Sequence, residues 1–536
     1  MRCVPVNAFA SAAGVDRKWL VLSAMCLGLG MLMIDMFVVN VALPTIGRDF
    51  GAGLGLVQWI VSGYVLVIGV MPVAMGRLGD LLGRRRVYLA GLIVFIAASM
   101  ACGLAPSVEL LIAFRVLQGA GAATMMPGTL SIVTQAFPAS QRGLAIGIWG
   151  GVSGLGLIAG PLLGGLLVEL GEWRLIFLIN LPLGLVAIAM TLLFARESRD
   201  ETATRRVDWG GLLALSGGLF ALLFAVTRGS ELGWASSQTI VAAAAGAALL
   251  AAFVLIERRV RAPLVELSLF RNGTFVAACL SAFLFSATVF GAQPFLSLFM
   301  QNYWGFSPLK GGLAFLPSTV LVAALLPVSG MLGQRLGSRI RVLLVVAAGA
   351  VLASALYLLA LTTASGYVDG FLPAFVVRGL GIGLFMSASS FAVMSALPMA
   401  RSGLASGTLT MARQVGTAVG VTVLGALYVR HIDGTVPAQL AASSSADVAA
   451  VLDAAHHFVN AAPAAASAAV SQAIVDGFIL IALATSVMAA VAAVASLFIA
   501  PRDAERAAPA SAAAATPTAA PPQLVLTGAD GGEGAA

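Results

Sequence analysis

The sequence predicts an all-α protein whose helices cross a membrane many times. Hydrophobic residues occupy 60% of the 536 positions, charged residues only 10%, and long apolar runs recur along the chain. Soluble domains average about 25% charged residues, whereas a helix that spans lipid needs about 20 apolar residues. A water-soluble globular protein is therefore excluded, and we predict a polytopic membrane protein.

Fourteen apolar runs are separated by charged or turn-rich breaks, and each run is predicted to form one membrane-spanning helix. The first run is too long for a cleaved signal peptide, so we expect it to remain as a membrane helix. An even number of spans places both termini on the same side of the membrane. In chain order, the runs are residues 20–43, 59–75, 87–104, 110–137, 144–170, 175–194, 210–226, 240–256, 275–300, 312–332, 342–361, 371–397, 404–429 and 477–499.

The basic residues indicate which side the termini face. If both termini are cytoplasmic, most of the 30 Lys and Arg residues fall in cytoplasmic segments, and only five fall in external segments. Cytoplasmic loops of membrane proteins carry such an excess of basic residues. Topology therefore explains the net charge of +7, and we expect no nucleic-acid partner.

A ten-residue segment occurs twice in the chain. Residues Gly76–Arg85 (GRLGDLLGRR) follow the second span, Gly330–Arg339 (GMLGQRLGSR) follow the tenth, and six of the ten positions are identical. A weaker similarity relates Gln118–Gly121 in the fourth span to Arg378–Gly381 in the twelfth. Eight spans separate the two copies, so we predict two six-helix halves with the seventh and eighth spans inserted between them.

These boundaries divide the chain into five predicted parts. They are a cytoplasmic leader (1–19), a first six-helix bundle (20–196), a linker with two extra helices (197–273), a second six-helix bundle (274–500) and a cytoplasmic tail (501–536). Within the second bundle, residues 431–476 are rich in Ala and Ser, and we expect an external loop with room for a short surface helix. The tail is rich in Ala, Pro and Gly, so we predict that it is disordered.

Several classes of function lack the residues that they require. A phosphate-binding loop needs a lysine in a glycine-rich motif, but the only lysines, Lys18 and Lys310, lie outside such a motif. An intramembrane enzyme would need paired catalytic groups, whereas the histidines all lie outside the spans. The cysteines form no disulfide framework, and His456 and His457 are expected to be solvated because no spaced ligand set accompanies them. We therefore expect no metal, no cofactor and no enzymatic activity.

Asp35 is the only acidic residue well inside a predicted span. A charge there costs about 2.5–3.5 kcal/mol on insertion scales, and such residues usually serve a function. At about 1.5 Å per helical residue, Asp35 and Arg115 can share a depth in the membrane. We predict that Asp35 is the proton and cation site and that Arg115 is its electrostatic partner; a purely structural ion pair is the alternative.

Other polar residues in the spans are candidates for a cavity or for helix packing. No acidic residue of the second half matches Arg378 or Arg413, so these arginines are expected to meet backbone carbonyls, Gln414 or an anionic substrate. Arg413 is alternatively a packed structural cation. The full set is Asn40, Gln118, Arg378, Arg413 and Gln414.

The repeated segment contains a candidate conformational latch. Its arginines, Arg84 and Arg85, would by themselves indicate only a basic cytoplasmic anchor. Gly76, Gly83 and Asp80 favour a latch, in which Asp80 accepts hydrogen bonds from an arginine or a helix N-terminus in one state. The second copy has Gln334 in place of the acid, so only the first copy can hold a full charge network.

Together these motifs resemble the major facilitator superfamily. The Gly76–Arg85 segment is similar to the signature loop of that superfamily, and the whole apolar body resembles its fourteen-span drug:proton antiporter family. Further matches are Asp35 with residues 39–44 (VNVALP), Arg115 with Gln118, Gly119 and Gly121, and Trp173-Arg174 with residues 177–182 (FLINLP). The fifth span matches the antiporter motif at Gly156, Gly160, Pro161, Gly164 and Gly165.

The resemblance implies a major facilitator fold and proton-coupled export of small lipophilic compounds, such as drugs, antibiotics or toxic metabolites. It also implies alternating access across the cell membrane and a role for the antiporter motif in the antiport cycle. We expect a monomer whose partners are the substrate, the proton and membrane lipid. A dedicated exporter of a single metabolite and a proton-coupled uptake symporter are the alternatives.

Overall fold

The computed structural model describes residues 16–52, 54–169, 172–200, 208–232, 236–260, 267–306, 308–440, 448–456, 459 and 464–500. Every regular element within these ranges is a helix, and no β-strand occurs among them. This confirms the all-helical class that the composition predicts. The predicted tail and most of the predicted leader lie outside the described residues.

The helices up to residue 194 cover the first six predicted spans, and two more helices follow them. A short helix, Leu175–Leu178, precedes the last helix of the first group. The first group is α1 (Arg17–Phe50), α2 (Leu54–Val70), α3 (Pro72–Leu82), α4 (Arg84–Gly103), α5 (Val108–Ala136), α6 (Arg142–Glu169) and α7 (Asn180–Phe194). The two helices that follow are α8 (Trp209–Leu232) and α9 (Ser237–Arg259).

The helices from residue 273 onward cover the last six predicted spans. Two π-helical turns, Phe299–Tyr303 and Tyr367–Phe371, adjoin the first and fourth helices of this group. The group is α10 (Gly273–Leu298), α11 (Leu316–Leu336), α12 (Ile340–Tyr357), α13 (Leu372–Ala396), α14 (Ser402–Leu440), α15 (Val448–His456) and α16 (Ala464–Leu497).

Ten helical stretches of the described chain are long and apolar enough to cross a membrane, and a bent pair raises the number to eleven. The bent pair consists of α2, from Trp59, and α3, which meet at 51°. Pro72 explains the bend, because it lacks an N–H to donate to the carbonyl of Ile68 one turn earlier. The polytopic membrane architecture is therefore confirmed.

The first copy of the repeated segment differs from its predicted structure. We expected a loop from Gly76 to Arg85, but residues up to Leu82 belong to α3. The chain turns at Gly83, whose φ of 117° favours glycine. The segment is helical because it is buried against other helices, where a loop would leave backbone polar groups without partners.

The expected external loop at 431–476 is also largely helical where it is described. Helix α14 continues to Leu440, α15 covers residues 448–456, and α16 begins at Ala464. His456 is not simply solvated, because its Nε2 lies 2.8 Å from Asp433 Oδ1. His457 lies outside the described residues.

Helix packing follows the same pattern in both halves. The first helix packs on the fifth (α1 on α6, α10 on α14), and the fourth packs on the second and third (α5 on α2 and α4, α13 on α11 and α12). The sixth helices, α7 and α16, each pack on the first and third helices of their half. The internal repeat in the sequence therefore corresponds to a repeated packing arrangement.

Paired glycines explain how the fourth helices approach their neighbours. A Cβ on Gly119 would meet the backbone of α2, and a Cβ on Gly379 would meet the backbone of α11. Two residues further, Gly121 faces the backbone of α4 and Gly381 faces the backbone of α12. Small residues let membrane helices approach closely, so this weaker sequence similarity reflects packing.

The inserted helices lie beside both halves. Helix α8 packs on α9, on α2 of the first half and on α14 of the second. Leu223 of α8 lies in a small apolar cluster with Leu66 and Val70, and Val415 and Ala418 pack against that cluster. Helix α8 therefore packs against both halves where they meet.

Candidate functional site

Asp35 lies in the middle of α1 and is completely buried. Its Oδ2 accepts a hydrogen bond from Arg115 Nη1 at 2.7 Å. Its Oδ1 accepts hydrogen bonds from Gln118 Nε2 at 2.8 Å and from Asn180 Nδ2 at 3.0 Å. The structure therefore brings Asp35, Arg115 and Gln118 together, and adds an asparagine from α7.

Arg115 is held on several sides at once. Its Nη1 also donates to Gln118 Oε1 at 2.8 Å, and its Nε donates to the carbonyl of Ile60 at 3.2 Å. The guanidinium carbon lies 4.0 Å from the centre of the Tyr64 ring, close enough for a cation–π contact. A planar guanidinium can make all of these contacts together, whereas a lysine ammonium cannot.

Two polar residues of this cluster were not predicted as site residues. Asn180 Nδ2 also contacts Ser99 Oγ at 3.0 Å, and Ser99 Oγ donates to the carbonyl of Phe177 at 2.8 Å. Asn180 lies in the FLINLP motif, and a polar side chain in an apolar run is the signal that identifies it. Ser99 carries a weaker signal, because serine commonly bonds to its own helix backbone.

The cluster combines one negative and one positive charge, both shielded from solvent. Pairing limits the cost of burial, because each ion has a counter-ion and further hydrogen-bond partners. The Asp35 carboxylate accepts three hydrogen bonds, so both of its oxygens have partners in this arrangement.

The antiporter-motif glycines bring α6 against α1 beside Asp35. A Cβ on Gly156 would overlap Met33, and a Cβ on Gly160 would lie 2.6 Å from Phe37 Cβ and 3.3 Å from the carbonyl oxygen of Ile34. Gly164 is also buried. The motif therefore fixes the surface on which the Asp35 helix rests. Pro161 and Gly165 belong to α6, but the surroundings of their side chains lie outside the described residues.

The first copy of the repeated segment joins α3 to the start of α14. Asp80 is completely buried; its Oδ1 accepts from Arg84 Nε at 2.8 Å and from the Gly403 N–H at 2.9 Å. Its Oδ2 accepts from the Leu404 N–H at 2.9 Å. A carboxylate at a helix N-terminus is favourable because unpaired N–H groups and the helix dipole are both positive there.

Arg84 and Gly76 complete this contact. Arg84 Nη2 donates to Asp80 and, at 2.6 Å, to the carbonyl of Ala400 just before α14. Gly76 lies so close to Gly403 that a Cβ on either residue would overlap the other's carbonyl oxygen. The predicted latch residues Gly76, Asp80 and Arg84 therefore form a direct bridge between the two halves.

Glu197 contacts the first copy, and sequence inspection did not predict this contact. Its carboxylate accepts hydrogen bonds from the N–H groups of Arg85 and Arg86 at 3.1 and 3.2 Å, which caps the start of α4. A Cβ on Gly83 would lie 2.6 Å from the carboxyl carbon of Glu197. Arg85 donates through its side chain to the carbonyl of Leu192 at 2.8 Å and does not contact Asp80.

The second copy makes the corresponding contact without charge. Gln334 Oε1 accepts from the Gly143 N–H at 2.9 Å, at the start of α6, and Gln334 Nε2 donates to the carbonyl of Ala139 at 2.8 Å. Gly330 and Gly143 approach as closely as Gly76 and Gly403 do. Each repeated segment thus binds the N-terminus of the fifth helix of the opposite half.

Arg378 is buried in the second half and forms no ion pair within the described part of the chain. Its Nη2 donates to the carbonyl of Val289 and, at 3.2 Å, to Gln293 Oε1. Of the alternatives considered from the sequence, contact with backbone carbonyls is the one present. No hydrogen bond joins Arg378 to Gln414 among the described residues.

Arg413 is bound within the second half as well. Its Nη2 donates to the carbonyl of Met386 and to the hydroxyl groups of Ser389 and Ser390, at 2.9–3.0 Å. These contacts fit a packed cation that ties α14 to α13. Gln414 faces α2, where its Cβ lies 3.9 Å from the position that a Cβ on Gly69 would occupy. The side chain of Asn40 lies outside the described residues.

The described residues contain no group of three or more His, Cys, Asp or Glu side chains able to hold a metal ion. Among these residues, two clusters of buried polar groups contain an ion pair: the Asp35 cluster inside the first half, with Arg115, and the contact of Asp80 and Arg84 with α14. Both contain hydrogen bonds between different helices. This chemistry suits binding and conformational change.

Comparison with known proteins agrees with this architecture. The sequence model of the Major Facilitator Superfamily matches residues 25–421. The multidrug resistance protein Stp of Mycobacterium tuberculosis is 38% identical over 425 residues, which cover 78% of each chain. The tetracenomycin C resistance and export protein of Streptomyces glaucescens is 34% identical over 474 residues, or 85% of each chain.

A solved structure supports the fold independently. The proton:xylose symporter XylE has a TM-score of 0.58 and 13% identity, and the match covers 89% of this chain and 94% of the other. At this identity the match shows the fold alone. The protein is a multi-pass transporter of the cell membrane and not an enzyme. On its motifs, its repeated helix packing and these matches, the chain belongs to the major facilitator superfamily.

Proposed function

We propose that this protein exports small lipophilic compounds, such as drugs, antibiotics or toxic metabolites, in exchange for protons. The buried cluster of Asp35, Arg115, Gln118 and Asn180 is the observation that carries the proposal. A carboxylate inside a membrane protein is costly, so its presence needs a functional reason. The relatives named above for multidrug resistance and for tetracenomycin C export support the substrate class.

Coupling follows from competition for the Asp35 carboxylate. A proton and the Arg115 guanidinium compete for the same carboxylate, so a proton would replace the guanidinium when the helices around them separate. Gly156 and Gly160 provide a smooth surface on which α1 can shift against α6. Proton uptake from outside and release inside would then be linked to alternating access of a cavity between the halves.

We propose fourteen spans with both termini in the cytoplasm. The apolar stretch Leu316–Ala360 has 45 residues, which would measure about 67 Å as one helix, whereas the hydrocarbon layer is about 30 Å thick. Its break at Gly337 therefore separates two spans, α11 and α12. Counting α2 with α3 as one span and α6 and α8 as spans gives fourteen. The excess of basic residues then faces the cytoplasm.

The two repeated segments are proposed to close the cytoplasmic side. Asp80 and Gln334 each bind a helix N-terminus of the opposite half, and both contacts are formed in this conformation. Opening toward the cytoplasm would break both.

We propose that the chain has five parts, which are residues 1–19, 20–196, 197–273, 274–500 and 501–536. We also propose that the transporter acts as a monomer.

A transport assay in proteoliposomes tests the proposal. For an exchange of one proton for one neutral substrate, each pH unit supports about tenfold accumulation. Asp35→Asn preserves size but cannot exchange a proton, so accumulation driven by an imposed pH gradient should fall to the level of empty liposomes. Glu109→Gln, which removes an exposed carboxylate at the start of α5, should leave accumulation unchanged. Full accumulation by Asp35→Asn would refute proton coupling at this residue.

The same assay separates the alternatives. A panel of chemically unrelated lipophilic compounds distinguishes a multidrug exporter from a dedicated exporter of one metabolite. Reversing the pH gradient distinguishes export from uptake, because a symporter moves substrate in the same direction as the proton.

A further inference from the structure

The second half contains a buried positive charge that no described residue neutralises. Arg378 is 7% exposed, and both of its hydrogen bonds come from Nη2. Within the described chain, no carboxylate forms an ion pair with Arg378, and its hydrogen-bond partners are one carbonyl and one amide oxygen. A buried ion normally has a counter-ion, because removal from water costs several kcal/mol.

Arg378 lines a cavity between α10, α12, α13 and α16. The cavity has a volume of about 30 Å³, and a single water needs about 10–15 Å³ on a comparable measure. Three hydroxyl groups, from Thr288, Ser354 and Thr485, share its wall with the arginine, and all three residues are at most 5% exposed. A guanidinium and hydroxyl groups are donors that suit an anion.

The position of this cavity corresponds to that of the Asp35 cluster. In the first half, the cluster is built by the first, third, fourth and sixth helices, which are α1, α4, α5 and α7. The cavity is lined by the first, third, fourth and sixth helices of the second half. Arg378 occupies the position that Gln118 has in the similar segments QGAG and RGLG. The first half thus supplies its own carboxylate where the second half has a cavity.

We propose that this cavity binds a small monovalent anion, either free chloride or the carboxylate of an acidic ligand, with Arg378 as the main donor. The hydroxyl groups of Thr288, Ser354 and Thr485 now donate to backbone carbonyls of their own or a neighbouring helix. Each hydroxyl has a single donor, so binding an anion would exchange the bond to a carbonyl for a bond to the anion. The bound anion completes in the second half the charge balance that Asp35 provides in the first.

Thermal unfolding of the purified full-length protein tests this proposal. The midpoint is measured at fixed ionic strength and pH while gluconate, too large for the cavity, is replaced by chloride, bromide or formate. We expect the midpoint to rise saturably with chloride and bromide, or with formate if the site takes a carboxylate, because a ligand that binds the folded state stabilises it. No saturable rise with any of the three anions overturns the proposal.

Variants locate the effect. Arg378→Gln should remove the anion dependence, whereas Arg413→Gln, which removes a partly buried arginine of the same half that does not line the cavity, should keep it. Equal anion dependence in the wild type and Arg378→Gln would contradict the assignment. If Arg378→Gln does not fold, the double variant Thr288→Val/Thr485→Val tests the proposal instead. We expect its half-saturating chloride concentration to rise, and an unchanged value overturns the proposal.

Anomalous scattering from bromide in the cavity would provide direct support, and its absence at a saturating concentration would count against the site.

Discussion

The two halves of this transporter share their helix packing but differ in the charges inside it. Arg115 is paired with Asp35 in the first half, while Arg378 in the second half contacts only a carbonyl and an amide among the described residues. The repeated segments differ in the same way, with Asp80 and Arg84 in one copy and Gln334 and Ser338 in the other. Glycines keep the backbone arrangement alike, so the polar side chains have been free to diverge.

The difference teaches that charge and packing are separable here. Gly330 packs on Gly143 as closely as Gly76 packs on Gly403, and both copies offer an oxygen to a helix N-terminus. Only the first copy adds an ion pair. Coupling to protons is therefore expected to reside in the first half, and the second half is expected to follow its movement.

The largest difference between the halves should appear when Arg115 and Arg378 are each replaced in a separate variant. Arg115→Gln leaves the Asp35 charge buried without its partner, which typically costs about 3–5 kcal/mol. Arg378→Gln removes a cation that has no described counter-ion, so its cost should be much smaller in a gluconate buffer. Unfolding midpoints of the two purified variants measure the difference. Equal losses would show that the two arginines have equivalent surroundings.

Alanine at the two turn glycines should give the next largest difference. Both residues have positive φ, 117° at Gly83 and 50° at Gly337, and such strain costs about 1–3 kcal/mol for a residue with a side chain. Only at Gly83 would the new Cβ also collide with Glu197; around Gly337 there is open space. Gly83→Ala should therefore lower the unfolding midpoint more than Gly337→Ala. The reverse order would mean that the Glu197 cap is easily displaced.

Asp80→Asn should have a smaller but specific effect on transport. Asparagine has one acceptor oxygen, so it cannot serve both the N–H groups of α14 and Arg84, and the buried Arg84 loses its counter-ion. We expect transport to slow about tenfold, equivalent to about 1.4 kcal/mol, with little change in substrate affinity. Initial efflux rates and equilibrium substrate binding separate these two quantities. A loss of affinity with an unchanged rate would place Asp80 in substrate binding.

The smallest effect is expected for Gln334→Ala. This variant loses two neutral hydrogen bonds, each worth about 0.5–1.5 kcal/mol, and leaves no unpaired charge. Its transport rate should therefore fall less than that of Asp80→Asn in the same assay. Equal defects in the two variants would show that the ion pair in the first copy adds nothing to closure.

The sequence by itself determined the membrane class, the internal repeat, the family resemblance and the pairing of Asp35 with Arg115. Composition and the spacing of apolar runs indicate the membrane class. The internal repeat and the family resemblance depend on glycines that helix packing requires at defined positions. The pair is predictable because a charge inside a span must find a partner, and few candidates share its depth.

Only the tertiary structure revealed Asn180 and Ser99 in the cluster, the Glu197 cap on α4, and the cavity beside Arg378. These features depend on contacts between residues far apart in the chain, and their side chains are common in helices and loops. The tertiary structure also makes the first repeated segment helical up to Leu82, because backbone groups that are buried against α14 need hydrogen-bond partners. Local sequence sets the helices and their glycine surfaces; the partners of each polar group are set by which helices meet.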